Sequence, residues 1–195
     1  MTIDGAPAAG VAELTTAHGK GRVAAGSFSF VVRTIGADYY LLAQDVDNPA
    51  ARNFTGTEWF PVDHAYRVRA EFVAYAQPQS MTVPMTHVES RTVMSSTGDV
   101  IFRLKGARLR LKSFVDDDQL FIMFRDRTNG HETYGGGRFL HAPLPQEGVT
   151  TLDFNEAFNP FCSVNDYVVC PPVVPAENRL GVSVEAGQKH HGESH

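Results

Sequence analysis

Apolar and polar residues alternate with a period of two along much of this chain, and this alternation constrains the fold more than any other feature. In residues 67–75, RVRAEFVAY, every second residue from Val68 to Ala74 is apolar, and most residues between them are charged. Residues 107–113 repeat the pattern, with Leu109 and Leu111 placed between two arginines and a lysine. Successive side chains of a β-strand point to opposite faces, so this pattern is typical of half-buried strands. The sequence therefore predicts a protein built from β-sheet.

Seven further segments are predicted as strands because they are rich in Val, Phe, Ile and Thr. They cover residues 27–33, 39–44, 88–95, 100–104, 119–125, 150–154 and 181–186. Turn-forming residues separate the runs at short intervals, at 97–99, 105–106, 116–118 and 128–130. Many antiparallel strands in a row must dispose of their edges. We therefore predict an all-β fold, an antiparallel meander that forms a closed or partly open β-barrel.

The composition changes along the chain and suggests three regions. Residues 1–26 are rich in Ala and Gly and have few large apolar side chains, which predicts a mobile or loosely docked arm. Residues 27–189 are predicted to form a single barrel domain, and residues 190–195 a frayed tail. Within the domain, residues 125–180 are dense in Gly, Pro, Asn and Asp. We expect a long ordered loop region there, since a loop of this length in a compact domain is normally functional or disordered and its aromatic residues favour packing.

The charge balance argues against several classes of partner. The chain has 17 Lys and Arg against 22 Asp and Glu, so it lacks the cationic excess that binding to nucleic acid or anionic membranes normally needs. Its longest apolar runs, such as residues 120–124, are far shorter than the roughly 20 residues that span a bilayer. The N-terminus has acidic residues where a secretory signal has a basic region. We expect no nucleic-acid or membrane partner and a cytoplasmic location.

The most unusual segment is FRDRTNGHETYGGGRFL, residues 124–140, in which polar side chains surround three consecutive glycines. These side chains are Asp126, Thr128, Thr133, Tyr134 and Arg138. The amides of residues 135–137 can form a concavity that accepts an anion, and a guanidinium can add a bidentate fork. The alternative is structural: Asn129-Gly130 is a hairpin turn, the glycines make a tight corner, and Arg138 pairs with Asp126. The glycine spacing matches no nucleotide-binding motif.

A second polar segment covers residues 152–180 and carries Asp153, Asn155, Asn159, Glu177 and Asn178. Asn and Asp side chains commonly satisfy the backbone of a loop, so a rigid, self-bonded loop is the alternative to a binding site. Cys162 and Cys170 lie in this segment and are the only cysteines. Their spacing leaves three interpretations open: two buried thiols, a short disulfide loop, or metal or nucleophilic chemistry.

Neither a metal nor a catalytic motif stands out. His18, His64 and His87 have no acidic or histidine partner at a ligand spacing, and the separations of Asp126, His131 and His141 match no metal motif. The chain has no GxSxG elbow of a serine hydrolase. The sequence predicts no metal site, identifies no cofactor and leaves the oligomeric state undetermined.

Several motifs resemble, in their order, those of the DUF1684 family of bacteria and archaea. They are FTGTEWFPVD at residues 54–63, TYGGGR at 133–138, DFN at 153–155, NP at 159–160, the two cysteines and ENRL at 177–180. The resemblance covers about residues 19–189. The family is uncharacterised, so the resemblance implies no catalytic residues. This chain has NPFC at 159–162 and AGQK at 186–189 where the family reads closer to NPPC and AGEK.

Three functional hypotheses follow. In the first, the open barrel end, lined by residues 124–140 and 152–180, binds a small polar or anionic ligand. Its candidate ligand-binding residues are Asp126, Thr128, Thr133, Tyr134, Gly136, Gly137, Arg138, Asp153, Asn155, Asn159, Glu177 and Asn178.

In the second hypothesis the chain is an enzyme, with Asp126 or Glu177 as the base, Arg138 and the amides of residues 135–137 stabilising negative charge, and Tyr134 donating a proton. In the third, both segments plug the barrel end. An exposed Arg138 favours the enzyme and a buried, paired Arg138 favours the plug. Because buried polar groups need partners, we predict that the two segments meet in space. Arg138 should then lie within about 6 Å of at least one of Asp126, Asp153 and Glu177, a distance at which opposite charges still interact.

Overall fold

The computed structural model describes residues 1–10, 12–15, 17, 20–35, 38–84, 91–165 and 173–190. The chain divides into two units, residues 1–56 and 57–195. Across the described ranges, no helix has the length and apolar character needed to cross a bilayer.

The first unit is a five-stranded antiparallel sheet. Its strands are β1 (Thr2–Ile3), β2 (Ala6–Pro7), β3 (Val23–Ala25), β4 (Phe28–Ile35) and β5 (Asp38–Asp45), in the spatial order β2-β1-β3-β4-β5. The strands predicted at 27–33 and 39–44 are β4 and β5. A five-residue helix follows, α1 (Pro49–Asn53), and the Asn48 side chain caps it by accepting the Ala50 amide at 2.8 Å. This helix is too short to show an apolar stripe in the sequence.

The second unit is a six-stranded antiparallel sheet. Its strands are β6 (Arg67–Pro84), β7 (Arg91–Leu104), β8 (Ala107–Asp116), β9 (Gln119–Phe124), β10 (Arg138–Pro143) and β11 (Val149–Asp153), in the order β10-β9-β8-β7-β6-β11. Consecutive strands from β6 to β10 are neighbours, and β11 returns to pair with β6. The edge strands β10 and β11 contact each other, so the sheet is a nearly closed barrel. The predicted all-β fold and antiparallel barrel are confirmed.

The barrel core follows from the alternation of each strand. On β7, Val100, Phe102 and Leu104 are buried, whereas Arg103 between them is exposed. The neighbouring strands contribute further fully buried side chains to the same cluster, among them Ala70, Leu111, Leu120, Ile122, Leu140 and Leu152. Burying one such aliphatic or aromatic side chain stabilises the fold by about 1.5–3 kcal/mol. The inward face therefore fixes which residues of each strand point outward.

Two details of β7 differ from the prediction. Residues 97–99 are not a turn, because β7 runs through them and carries the predicted segment 100–104 and most of 88–95 in one strand. A Cβ at Gly98 would lie 2.6 Å from both the Phe72 ring and the Val73 carbonyl oxygen. The glycine therefore serves a close approach of neighbouring strands rather than a turn. Residues 88–90 of the predicted strand lie outside the described residues.

In the C-terminal part, the structure has one strand that the sequence did not predict and lacks one strand that it did predict. β10 was missed because its residues Arg138, Phe139 and Leu140 are buried in succession and do not alternate. Residues 181–186 were predicted as a strand, which is wrong. The Val184 amide donates to Asp126 and the Val184 carbonyl accepts from Arg138, so side chains bond both backbone groups of Val184, as a partner strand would.

Outside β10 and β11, the predicted loop region is built from short 3₁₀-helices at residues 154–156, 161–163 and 176–178. The last described segment returns to the start of the second unit. There the Phe60 amide donates to the Gly187 carbonyl at 2.9 Å, and the Lys189 amide donates to the Glu58 carbonyl at 2.8 Å. The boundaries predicted after residues 26 and 189 stay predictions.

Candidate functional site

The centre of the first polar segment is a buried ion pair. Arg138, at the start of β10, has no exposed surface, and its Nη2 donates to the Asp126 Oδ2 at 2.8 Å. Nη2 also donates to the Val184 carbonyl at 2.8 Å, and Nη1 donates to the Ala186 carbonyl. The guanidinium carbon lies 5.3 Å from the centre of the Phe124 ring, a cation–π contact. The predicted proximity of Arg138 to an acidic side chain is confirmed.

The environment of Arg138 acts in two opposite directions on its charge. Desolvation lowers the pKa of the Arg138 guanidinium, whereas the Asp126 carboxylate acts against that shift. An arginine stays protonated in proteins even when it is buried. The guanidinium is therefore a fixed positive charge, which the Asp126 carboxylate neutralises and which donates hydrogen bonds to two carbonyl oxygens.

Asp126 is held by further donors. Its Oδ1 accepts the Thr128 amide at 2.8 Å, the Thr128 hydroxyl at 2.6 Å and the Val184 amide at 3.1 Å. The hydroxyls of Thr128 and Thr133 are 2.8 Å apart. Asp126, Thr128, Thr133 and Arg138 thus form one buried cluster, which we call the Arg138 network.

Residues 125–137 connect β9 to its antiparallel neighbour β10, and the turn predicted at Asn129-Gly130 lies within this connection. The Asn129 side chain accepts the Asp126 amide at 2.6 Å and donates to the Tyr134 carbonyl at 2.8 Å. Gly137 has a φ of +106°, and a Cβ there would lie 2.6 Å from a methyl of Val174. Its amide donates to the Tyr134 carbonyl at 3.1 Å, so this amide is not available to an anion. The alternative of a turn and a tight corner therefore describes these residues well.

The other side chains near the glycines pack against their surroundings. A Cβ at Gly136 would lie 2.4 Å from the Tyr134 ring, so the ring covers this glycine. The Tyr134 hydroxyl lies 3.8 Å from the Cys162 sulfur. Cys170 lies outside the described residues, so the three interpretations of the two cysteines stay predictions.

Two residues of the second segment, Asn159 and Asn178, are buried and bond to backbone. Asn178 donates to the Lys112 and Met123 carbonyls at 2.8 and 2.7 Å and accepts the Lys112 amide at 2.7 Å. The Asn159 side chain donates to the Lys189 carbonyl at 3.0 Å. The Arg125 amide donates to the Asn178 carbonyl at 2.9 Å. The predicted meeting of the two polar segments is confirmed.

The remaining candidates of the second segment do not contact Arg138. Asp153 forms an ion pair with Arg67 at 3.2 Å, and its Oδ1 accepts the Asn155 amide at 3.1 Å. The Asn155 side chain in turn bonds the backbone of Asp63. Glu177 lies 3.6 Å from the ammonium group of Lys112.

The sequence reasoning missed a cationic groove on the outer face of the barrel. Arg103 on β7 pairs directly with Arg108 on β8. Arg69 on β6 points to the same face, because its neighbour Ala70 pairs with Phe102 and both are buried. These three arginines line an open groove of about 600 Å³, which we call the arginine groove. Its walls also include Glu71, Ile101 and Val149.

The three arginines are exposed and form no ion pair with any acidic side chain that the structure describes. Like charges directly opposite each other on paired strands destabilise a sheet. By contrast, the neighbouring Arg110 is bonded through its Nε to the Asp99 carboxylate at 2.8 Å. In the sequence, each of these arginines occupies the ordinary outward position of an alternating strand. Only the register of three strands brings them together.

Within the described parts of the chain, no three His, Cys, Asp or Glu side chains lie close enough to hold a metal ion. His141 has one acidic neighbour, Asp116, at 3.8 Å. The described residues therefore give no support for a metal centre.

Comparison with known proteins gives a family and a fold. The family whose sequence model matches residues 52–189 is described as "Protein of unknown function (DUF1684)". An uncharacterized protein of Haloarcula marismortui, whose solution NMR structure is known, is 32% identical to this chain with a TM-score of 0.59. That similarity covers 73% of this chain and 80% of the other chain. No curated protein gives a match.

Proposed function

This chain belongs to the DUF1684 family of proteins of unknown function, and we propose that it is a binding module whose small anionic ligand occupies the arginine groove. The observation that carries the proposal is the set of three exposed arginines, Arg69, Arg103 and Arg108, that line one groove without an acidic partner in the described structure. The groove volume of about 600 Å³ lies inside the roughly 300–1,000 Å³ that is usual for small-ligand sites.

The chemistry of arginine supports an anion in particular. A guanidinium presents a planar fork of donors that matches a carboxylate or a phosphate, and such charge-assisted bonds are about twice as strong as neutral ones. An anion placed between Arg103 and Arg108 also removes their mutual repulsion. Both effects weaken as salt screens exposed charges. Binding to the arginine groove should therefore fall with ionic strength.

For the barrel end, the burial of Arg138 supports the plug hypothesis. A ligand reaches the Arg138 network only if residues 181–186 move away, because two of their carbonyls already accept hydrogen bonds from the guanidinium. The enzyme hypothesis has less support. Of the two bases it names, Asp126 already accepts four hydrogen bonds, and Glu177 lies beside Lys112 and not beside Arg138. We propose that these polar side chains close the barrel end, and that the ligand binds outside in a cytoplasmic protein.

Isothermal titration with inorganic pyrophosphate at low ionic strength tests the proposal. The double variant Arg103→Gln, Arg108→Gln should bind at least about tenfold more weakly, since each hydrogen bond to a charged group contributes roughly 1.5–3 kcal/mol. Arg127→Gln is the matched control, because Arg127 is also exposed but lies away from the groove. Absence of binding to the wild-type protein, or equal binding to the double variant, would overturn the proposal.

A further inference from the structure

The arginine groove also contains a carboxylate that the binding of a simple anion does not explain. Glu71 follows Arg69 by two residues on β6, so both side chains lie on the outer face, about 7 Å apart along the strand. Glu71 is exposed, and no cationic side chain in the described ranges forms an ion pair with it. This carboxylate would repel a ligand that carried negative charge only.

The neighbours of Glu71 across the sheet are apolar. It pairs with Ile101 on β7 and with Val149 on β11, and both of these side chains are half-buried. The next residue in that row is Arg110, which pairs with Ile101 and is bonded to Asp99. Arg110 is therefore not available to neutralise Glu71. The carboxylate lies between two aliphatic surfaces, which suit contact with methylene groups.

The groove thus has two regions of opposite charge in adjacent rows of the sheet, and apolar side chains flank the negative one. The three arginines form the positive region, and Glu71 forms the negative region. A ligand with both charges at matching separation gains attraction at each end, whereas a simple anion gains at one end and is repelled at the other. We infer that the ligand is a short aliphatic amine that carries a phosphate or a similar dianionic group at its other end. This inference rests on the proposed anion site.

A matched pair of probes tests the role of the amine. The probes are 4-aminobutyl phosphate and butyl phosphate, which differ only in the ammonium group. In titrations at neutral pH and low ionic strength, the wild-type protein should bind the amine about threefold more tightly, the size of effect that one exposed ion pair provides. Glu71→Gln should remove this preference, and Glu71→Asp should retain part of it. Glu132→Gln, a change at an exposed glutamate outside the groove, should keep all of it.

The outcomes separate the inference from the function on which it rests. If the wild-type protein binds both probes equally, the inference is wrong and the anion site stands. If Glu71→Gln strengthens both probes by the same factor, Glu71 only reduces the local positive charge, and the inference is again wrong. If neither probe nor pyrophosphate binds, the anion site itself is refuted. A preference for the amine that Glu71→Gln abolishes supports both.

Discussion

Replacing Arg138 by alanine removes the centre of the network that closes the barrel end. The change leaves the Asp126 carboxylate, whose side chain has no exposed surface, without its cation. It also leaves the carbonyls of Val184 and Ala186 without the donors that now satisfy them. Losing one partner of a buried ion pair costs about 3–5 kcal/mol because the other charge stays buried. The free energy of unfolding should fall by about that amount.

Thermal and urea unfolding measure this loss. For a chain of this size each kcal/mol shifts the midpoint by about 2–4 °C, so Arg138→Ala should lower Tm by roughly 6–20 °C. Adding Asp126→Asn to this variant should restore part of the loss, because the amide removes the stranded charge and still accepts hydrogen bonds. Arg127→Ala is the control, since an exposed substitution usually changes stability by less than about 0.5 kcal/mol. An Arg138→Ala protein as stable as the wild type would refute the assignment of Arg138 to a structural plug.

Two further predictions concern a glycine and an ion pair. Gly137→Ala should lower Tm more than Gly130→Ala: both have positive φ, but only at Gly137 does the added methyl meet Val174 and backbone, a clash worth roughly 1–3 kcal/mol. Equal midpoints would contradict this reasoning. The hydrogen bond from Lys105 lowers the pKa of Glu185, so the stability from this half-exposed pair is present above the ordinary glutamate pKa and is lost as the pH falls through the lowered value. A carboxyl NMR titration should show the pKa of Glu185 rising in Lys105→Met, with an effect on stability below about 1 kcal/mol.

The barrel could be predicted from the sequence because most of its strands bury one face and expose the other, which produces an alternating pattern. β10 escaped prediction since it is buried on both faces, with Leu140 in the barrel core and Phe139 packed with Val174 and Phe158, which removes the alternation. The reverse error arose at residues 181–186, where Val182, Val184 and Ala186 alternate as in a strand. That segment packs its alternate apolar residues into the core while the backbone of Val184 and Ala186 bonds side chains, so the pattern reports burial and not strand pairing.

For the candidate residues, the rule that buried charges need partners was enough to predict that Arg138 lies near an acidic side chain, which is Asp126 in the structure. It could not decide among several carboxylates, because Asp153 and Glu177 have partners of their own on other strands. The arginine groove was beyond the reach of the sequence for a different reason. Its charges come from separate strands, and their proximity depends on pairing register.

The backbone bonds between residues 58–60 and 187–189 place the start of the second unit beside its last described segment. Joining these two segments would give a closed chain, in which their junction is only one of the possible positions for the chain ends. Domains whose ends lie close together tolerate insertion into other proteins, and they tolerate circular permutation, in which new chain ends are made elsewhere. The tight turn between β8 and β9, at the exposed residues Asp117 and Asp118, is a suitable position for the new chain ends. The order of strands in space, rather than their order along the chain, is then what defines this barrel.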